Sequence, residues 1–227
     1  MDEIKLIEIK EDIQADNAVV ADELRARLAA EKTLLINLMS SPGAGKTSLL
    51  LQTIQALKNE VRMGVIEADI DSIVDSETIA ATGVQSLQLR TGGFCHLDAT
   101  MVRTGLDGLE NPELDLVFIE NVGNLVCPAE FDTGAIHDTM ILSVPEGDDK
   151  PLKYPLMFSK SKVLLVNKTD YLAVADFDME KLKQRVRRLN PDIEIFPVSC
   201  KTGEGIDQWV HWLKEAIRAF QKGEARA

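Results

Sequence analysis

Ser40-Ser41-Pro42-Gly43-Ala44-Gly45-Lys46-Thr47 follows an apolar run, Leu34-Leu35-Ile36-Asn37-Leu38-Met39, and precedes a helix-like segment from Ser48 to Lys58. Strand, glycine-rich turn, Gly-Lys-Thr and helix in that order make a phosphate-binding P-loop. Gly43 and Gly45, with Ala44 between them, let backbone N–H groups curl around an anion without Cβ clashes. A helix starting near Lys46 points its positive dipole end, and the Ser48 that follows, at the same anion. Lys46 is placed to reach the β- and γ-phosphates and the Thr47 hydroxyl to bind Mg²⁺. One position departs from the usual pattern: Ser40 stands where glycine opens it, leaving the phosphate-contacting positions intact. The expected fold is α/β, a P-loop NTPase three-layer sandwich with a mainly parallel central sheet flanked by helices.

The chain has 227 residues, enough for one α/β domain with a proper core. Its formal net charge of −12 argues against general nucleic-acid or anionic-membrane binding. A nucleotide needs only a local positive site, so the acidity and the P-loop agree. No apolar run approaches the ~20 residues of a membrane span, and Met1-Asp2-Glu3-Ile4-Lys5 lacks the basic start of a signal peptide. Three cysteines make no disulfide framework; they read as reduced thiols, and a cytoplasmic location is expected. Residues 1–31 read as an N-terminal extension, ahead of a nucleotide domain at 32–227. Within the extension Val20, Leu24 and Leu28 recur every four residues, which predicts an amphipathic helix from about Asn17 to Lys32. The first dozen residues either join that packing or form a docking tail for a partner.

Beyond the P-loop, Met63-Gly64-Val65-Ile66 is a strand running into Glu67-Ala68-Asp69-Ile70-Asp71. Acids at the carboxyl end of a strand face the ligand crevice of an α/β sheet, so Asp69 is expected to hold Mg²⁺ or its waters. Asp71 and Asp75 rank lower, as loop or capping acids. A strand over Leu114–Ile119 ends in Glu120-Asn121-Val122-Gly123. An acid with glycine three residues on resembles the γ-phosphate sensor of GTPases, with Glu120 where Asp usually stands. Glu120 would bind Mg²⁺ through water, and Gly123 would offer its N–H to the γ-phosphate and move when that phosphate leaves. Lys162–Val166 then leads into Asn167-Lys168-Thr169-Asp170. The Asp170 carboxylate can accept from guanine N1–H and the exocyclic amine, two donors adenine lacks. A buried polar group left unmet costs ~1–3 kcal/mol, enough for strong discrimination. Asn167 would brace the loop and the Lys168 stem would lie over the base. Ser199-Cys200-Lys201, after a strand over Ile193–Val198, resembles the last GTPase motif, whose backbone meets guanine O6. The ordered set points to GTP and GDP. In-line attack of water would be served by Lys46, Thr47, Asp69, Glu120 and Gly123, with slow turnover because no arginine finger or glutamine is evident.

A second chemistry accompanies the first. Cys95-His96 sits just after Gly92-Gly93, and Cys127-Pro128 sits four residues beyond Gly123. Cys, His and Cys are ligands preferred by Zn²⁺ and Ni²⁺. Both loops follow strand ends, on the ligand side of an α/β sheet. Three ligands are too few for a closed structural zinc site; water completes the set, or a second subunit does through a two-fold dimer. Cys200 lies inside the guanine motif and reads as a small buried hydrophobe.

From Leu34 onward the sequence resembles the HypB family of hydrogenase nickel-incorporation GTPases, of the SIMIBI class. The hallmarks are the P-loop, Gly93-Phe94-Cys95-His96-Leu97-Asp98-Ala99, Glu120-Asn121-Val122-Gly123-Asn124-Leu125-Val126-Cys127-Pro128 and Asn167-Lys168-Thr169-Asp170. The related urease accessory GTPase carries Cys-Pro-His instead. The resemblance implies a GTP-dependent homodimer holding nickel or zinc at its interface through Cys95, His96 and Cys127. It also implies delivery of nickel to the precursor of the [NiFe]-hydrogenase large subunit, together with a HypA-type nickel/zinc protein that meets the N-terminal segment. Some family members add an N-terminal cysteine motif or a histidine-rich stretch; here the histidines are His96, His137 and His211, so bulk nickel storage is not expected. The rival readings are a urease-type nickel GTPase, a GTP-dependent scaffold without metal, and a P-loop kinase, which would have no use for Asp170.

Overall fold

The computed structural model describes residues 9–69, 78–110 and 113–224. Seven strands form one sheet: β1 Leu34–Ser40, β2 Met63–Asp69, β3 Gln85–Arg90, β4 Leu116–Glu120, β5 His137–Ser143, β6 Val163–Asn167 and β7 Glu194–Pro197. Their order is β3-β2-β4-β1-β5-β6-β7, and every neighbouring pair is parallel. A purely parallel sheet is covered on both faces, which is why β1, β4 and β6 are buried at every position and read as near-continuous apolar runs. Side chains alternate between two cores. Ile141, Val163 and Leu165 enter one with Leu35, Phe118 and Trp209; Met140, Leu142, Leu164 and Val166 enter the other with Phe158 and Leu182.

The helices are α1 Ile9–Glu31, α2 Lys46–Leu57, α3 Ala99–Asp107, α4 Cys127–Glu130, α5 Lys150–Lys153, α6 Pro155–Lys160, α7 Met179–Leu189 and α8 Ile206–Gln221. Helix α1 is described from Ile9, upstream of the expected Asn17, and 9–16 contains neither glycine nor proline to stop it. Its buried line is Ala21, Leu24 and Leu28, the two leucines in the same core as β1, while Val20 is only half-buried. The start of the proposed docking tail, residues 1–8, lies outside the described residues. Helix α3 begins at Ala99, where the Asp98 carboxylate accepts from Met101 N–H at 2.7 Å and caps it. Helix α8 lies on α2, with Trp209 Nε1 donating to Thr53 Oγ1 at 3.0 Å. Among the described residues no helix is long and apolar enough to cross a membrane.

Candidate functional site

The crevice opens where the strand order reverses around β1, the usual ligand position in an open α/β sheet. A cavity of about 560 Å³ lies there, lined by Gly43, Lys46, Thr47, Glu67, Glu120 and Gly123 among others. The turn between β1 and α2 reaches it through two left-handed glycines, Gly43 at φ 75° and Gly45 at φ 102°. Ser40 is fully buried, and its hydroxyl accepts from Lys46 Nζ at 3.1 Å. The one departure from the usual pattern thus holds the lysine of the Gly-Lys-Thr run. Ser41 Oγ donates to Glu146, whose other oxygen receives Ser143 N–H at 2.7 Å, tying the loop to the end of β5.

Thr47 Oγ1 donates to Glu120 Oε1 at 2.9 Å. Glu67 and Glu120 are paired across β2 and β4, and only 4% and 7% exposed. A hydroxyl and two buried carboxylates converging beside a phosphate cavity are hard oxygen donors, which fit Mg²⁺. Glu67 was missed in the sequence. Strand parity could have found it, because it lies two residues before Asp69 and so on the same face of β2. Asp69 itself ends β2; its side chain, like residues 70–77 with Asp71 and Asp75, lies outside what is described. Gly123 packs tightly against the P-loop. A Cβ there would come within 3.1 Å of Pro42 N, Cα and Cγ.

A second cavity of about 290 Å³ adjoins the first through Gly45, Ser48 and Lys168, and is lined further by Asn167, Asp170, Cys200 and Lys201. Asn167 Nδ2 donates to Ala44 O at 2.9 Å, and its Oδ1 accepts from Lys168 N at 2.8 Å and Cys200 N at 3.3 Å. Lys168, at φ 62°, donates from Nζ to Gly43 O at 2.8 Å. Two residues of the guanine motif therefore buttress the P-loop. A Cβ on Gly45 would sit 2.5 Å from Asn167 Nδ2. Ser199 Oγ donates to Asp170 Oδ1 at 2.8 Å, and the Lys201 ammonium stands 3.8 Å from Oδ2. Burial pushes the Cys200 thiol up to about 11, so it stays protonated and inert.

The fold brings Cys95, His96 and Cys127 together. Their ligand atoms lie within 4.8 Å of one another, the one such cluster of three His, Cys or acidic side chains among the described residues. The two thiols share a hydrogen bond, Sγ···Sγ 2.9 Å, and Cys95 Sγ is 3.8 Å from His96 Nδ1. Ions bonded to sulfur at ~2.3 Å hold ligand pairs ~3.3–3.8 Å apart, so the sulfurs need part by less than ~1 Å. The bond with Cys95, then burial, raises the Cys127 thiol above its ordinary range; burial lowers His96, favouring the neutral ring that binds metals. The His96 ring stacks on Phe131 at 3.8 Å and 16°. Phe131 was not anticipated, since nothing near it in sequence marks it as His96's partner. Exposed Phe94 and Val126, one residue before each cysteine, rim the cluster.

A profile described as CobW/HypB/UreG, nucleotide-binding domain, matches residues 34–197. Hydrogenase maturation factor HypB of Escherichia coli (strain K12) is 47% identical over 214 residues, covering 94% of this chain and 74% of that protein. The protein of the same name from Azotobacter vinelandii is 50% identical over 210 residues, covering 92% and 69%. The crystal structure of HypB from Helicobacter pylori in complex with nickel superposes with a TM-score of 0.86 at 34% identity, covering 93% of this chain and 98% of that one.

Proposed function

The chain belongs to the HypB hydrogenase maturation factors of the CobW/HypB/UreG family, and from that premise we propose that it is a GTP-binding, GTP-hydrolysing nickel metallochaperone. It works as a GTP-dependent homodimer with Cys95, His96 and Cys127 of each copy at the interface. Nickel, or zinc in its place, is cargo, passed with a HypA-type protein toward the precursor of the [NiFe]-hydrogenase large subunit. The observation that supports this most is the nearness of two chemistries. The phosphate cavity ends at Gly123, and the sulfur and nitrogen cluster includes Cys127, four residues further on.

In that reading Asp170 and the Ser199-Cys200-Lys201 backbone select guanine, while Asn167 and Lys168 hold the base and phosphate compartments together. Lys46, steadied by Ser40, neutralises charge on the β- and γ-phosphates, and Gly123 N–H orients the γ-phosphate for in-line attack by water. Thr47, Glu67 and Glu120, with Asp69 as the sequence suggests, would hold Mg²⁺ directly or through water, and the ion would supply further charge neutralisation. The thiols must lose their protons when metal enters, so loading strengthens as pH rises.

The test measures mass by light scattering together with metal content, in GDP and in a non-hydrolysable GTP analogue. The expected result is a dimer with the analogue, metal bound through both cysteines, and loss of metal in Cys95→Ala with Cys127→Ala. A monomer in both nucleotides with unchanged metal would sink the coupling, and ATP hydrolysed as fast as GTP would sink the role of Asp170.

A further inference from the structure

Helix α1 is remote in sequence from both ligand loops, yet one of its side chains joins them. Asn17 Oδ1 accepts from Ala99 N–H at 2.9 Å, at the first residue of α3 and three residues after His96. Asn17 Nδ2 donates to Asp132 O at 2.8 Å, two residues past the end of α4, the helix that Cys127 begins. Each atom of one planar amide thus grips the arm that carries one side of the cluster. The rest of α1 braces the same arms. Arg25 reaches Asp132 Oδ1 at 2.5 Å and Ala135 O at 3.4 Å. Leu24 packs on Gly134, where a Cβ would come within 2.7 Å, and Arg27 holds Asp107 at the far end of α3 at 2.5 Å.

We propose that Asn17 is a positioning residue for the Cys95-His96-Cys127 site, setting the gap across which the two cysteines meet and making α1 part of the metal site's frame. The inference rests on reading those three residues as metal ligands. The chemistry asks for asparagine specifically. Alanine gives up both bonds, whereas aspartate keeps the acceptor for Ala99 N–H and turns a second oxygen, with no proton to give, toward the Asp132 carbonyl. Neither bond of Asn17 touches the phosphate or guanine cavity, so nucleotide binding should not share in the effect.

The test titrates the full chain with Ni²⁺ and with Zn²⁺ against a chromophoric chelator and follows thiolate-to-nickel absorption. GDP affinity and hydrogen exchange at the Ala99 amide are measured beside it. Asn17→Ala is expected to weaken metal binding about tenfold or more, the usual scale for outer partners of a metal site. It should also speed exchange at Ala99 and leave GDP affinity as in the wild type. Asn17→Asp should keep Ala99 protected yet still weaken metal binding, because the bond to the Asp132 arm is lost; it decides the matter if Asn17→Ala gives little folded protein. Wild-type metal affinity in both variants, while Cys127→Ala loses the metal, would overturn the role of Asn17 and leave the metal site standing. Equal loss of metal and GDP affinity would overturn it too, as general loosening. Metal binding that survives Cys95→Ala and Cys127→Ala would overturn the metal site itself, and the role of Asn17 with it.

Discussion

Replacing Asn167 by Ala should weaken binding of the phosphates as well as of the base. Asn167 is 2% exposed and makes three hydrogen bonds, of which those to Ala44 O at 2.9 Å and from Lys168 N at 2.8 Å are short. Each buried group left unmet costs ~1–3 kcal/mol, so the two short bonds together are worth ~2–6 kcal/mol. At ~1.4 kcal/mol per tenfold, that corresponds to a ~30- to 20,000-fold loss of the binding-competent arrangement. The cavities open to water, which can satisfy part of what the side chain leaves, so the lower half of that range is expected. Calorimetric titration with GDP and with inorganic tripolyphosphate, both with Mg²⁺, separates the two possible roles. A brace lowers both affinities by similar factors, because tripolyphosphate needs the Gly43–Gly45 turn and has no base. The control is Asp170→Ala, which should lose GDP and keep tripolyphosphate. Wild-type tripolyphosphate affinity in Asn167→Ala would refute the brace and return Asn167 to base recognition alone.

Gly123→Ala forces a methyl to 3.1 Å from three Pro42 atoms; overpacking at ~1–3 kcal/mol should cut GTP turnover about tenfold while GDP affinity, blind to the γ position, stays within about twofold. Equal losses for GTP and GDP would show that the glycine only shapes the loop. Ser40→Ala removes the acceptor 3.1 Å from Lys46 Nζ and should slow phosphate release ~3- to 10-fold, as one hydrogen bond of ~0.5–1.5 kcal/mol allows; an unchanged rate would show that the hydroxyl does not steady the lysine. Burial sets His137 and Asp138 against each other in pH. It lowers His137 from 6.5 to about 4, so its share of stability is full above 6.5 and lost as pH falls toward 4. It raises Asp138 from 3.8 to about 6, so that share is full below 3.8 and lost as pH rises through 6. The two offset each other between pH 4 and 6. Asp138→Asn should therefore make the protein less stable as pH falls across that window, and His137→Gln less stable as pH rises, each by at most ~3 kcal/mol. Denaturation midpoints that move the same way in both variants would refute the opposition.

The P-loop, the guanine motif and both cysteine loops were legible because each is a short contiguous run whose chemistry is local. The strands were legible for another reason: a sheet covered on both faces leaves near-continuous apolar runs such as Leu34–Met39, interrupted by Asn37, and Val163–Val166. Helix ends were less so. The start of α3 is set by the Asp98 cap, and the Val20 periodicity of α1 gave way to Ala21, where a small side chain allows close packing. Glu67 was within reach of strand parity. Asn17 and Phe131 were not, because their work depends on how α1 docks and how the α4 arm folds under His96. The bonds of Asn17 span 82 and 115 residues, and no local pattern announces such a pairing.

The anchoring of the two arms bears on which half of the cluster a nucleotide could move. Asn121 is rooted in the sheet, its amide donating to Asn37 Oδ1 at 3.1 Å and Asn37 in turn to Asp138 at 2.8 Å. On the other side of Gly123, Leu125 and Ala129 are 7% and 3% exposed, in a core with Met140 and Phe158. Cys127 sits between those two plugs, so shifting it means unpacking them. Cys95 is held differently. It follows Gly92 and Gly93, exposed and both left-handed at φ 62° and 101°, and its carbonyl meets Asn124 Nδ2 in a long 3.5 Å bond. Asn124 adjoins Gly123. If the γ-phosphate acts at Gly123, displacement of Asn124 reaches the glycine-hinged Cys95 loop at far less cost than it reaches Cys127. The switch would then open the site by withdrawing Cys95 from a stationary Cys127, with the Asn17 clamp at Ala99 as the fixed end against which that loop swings.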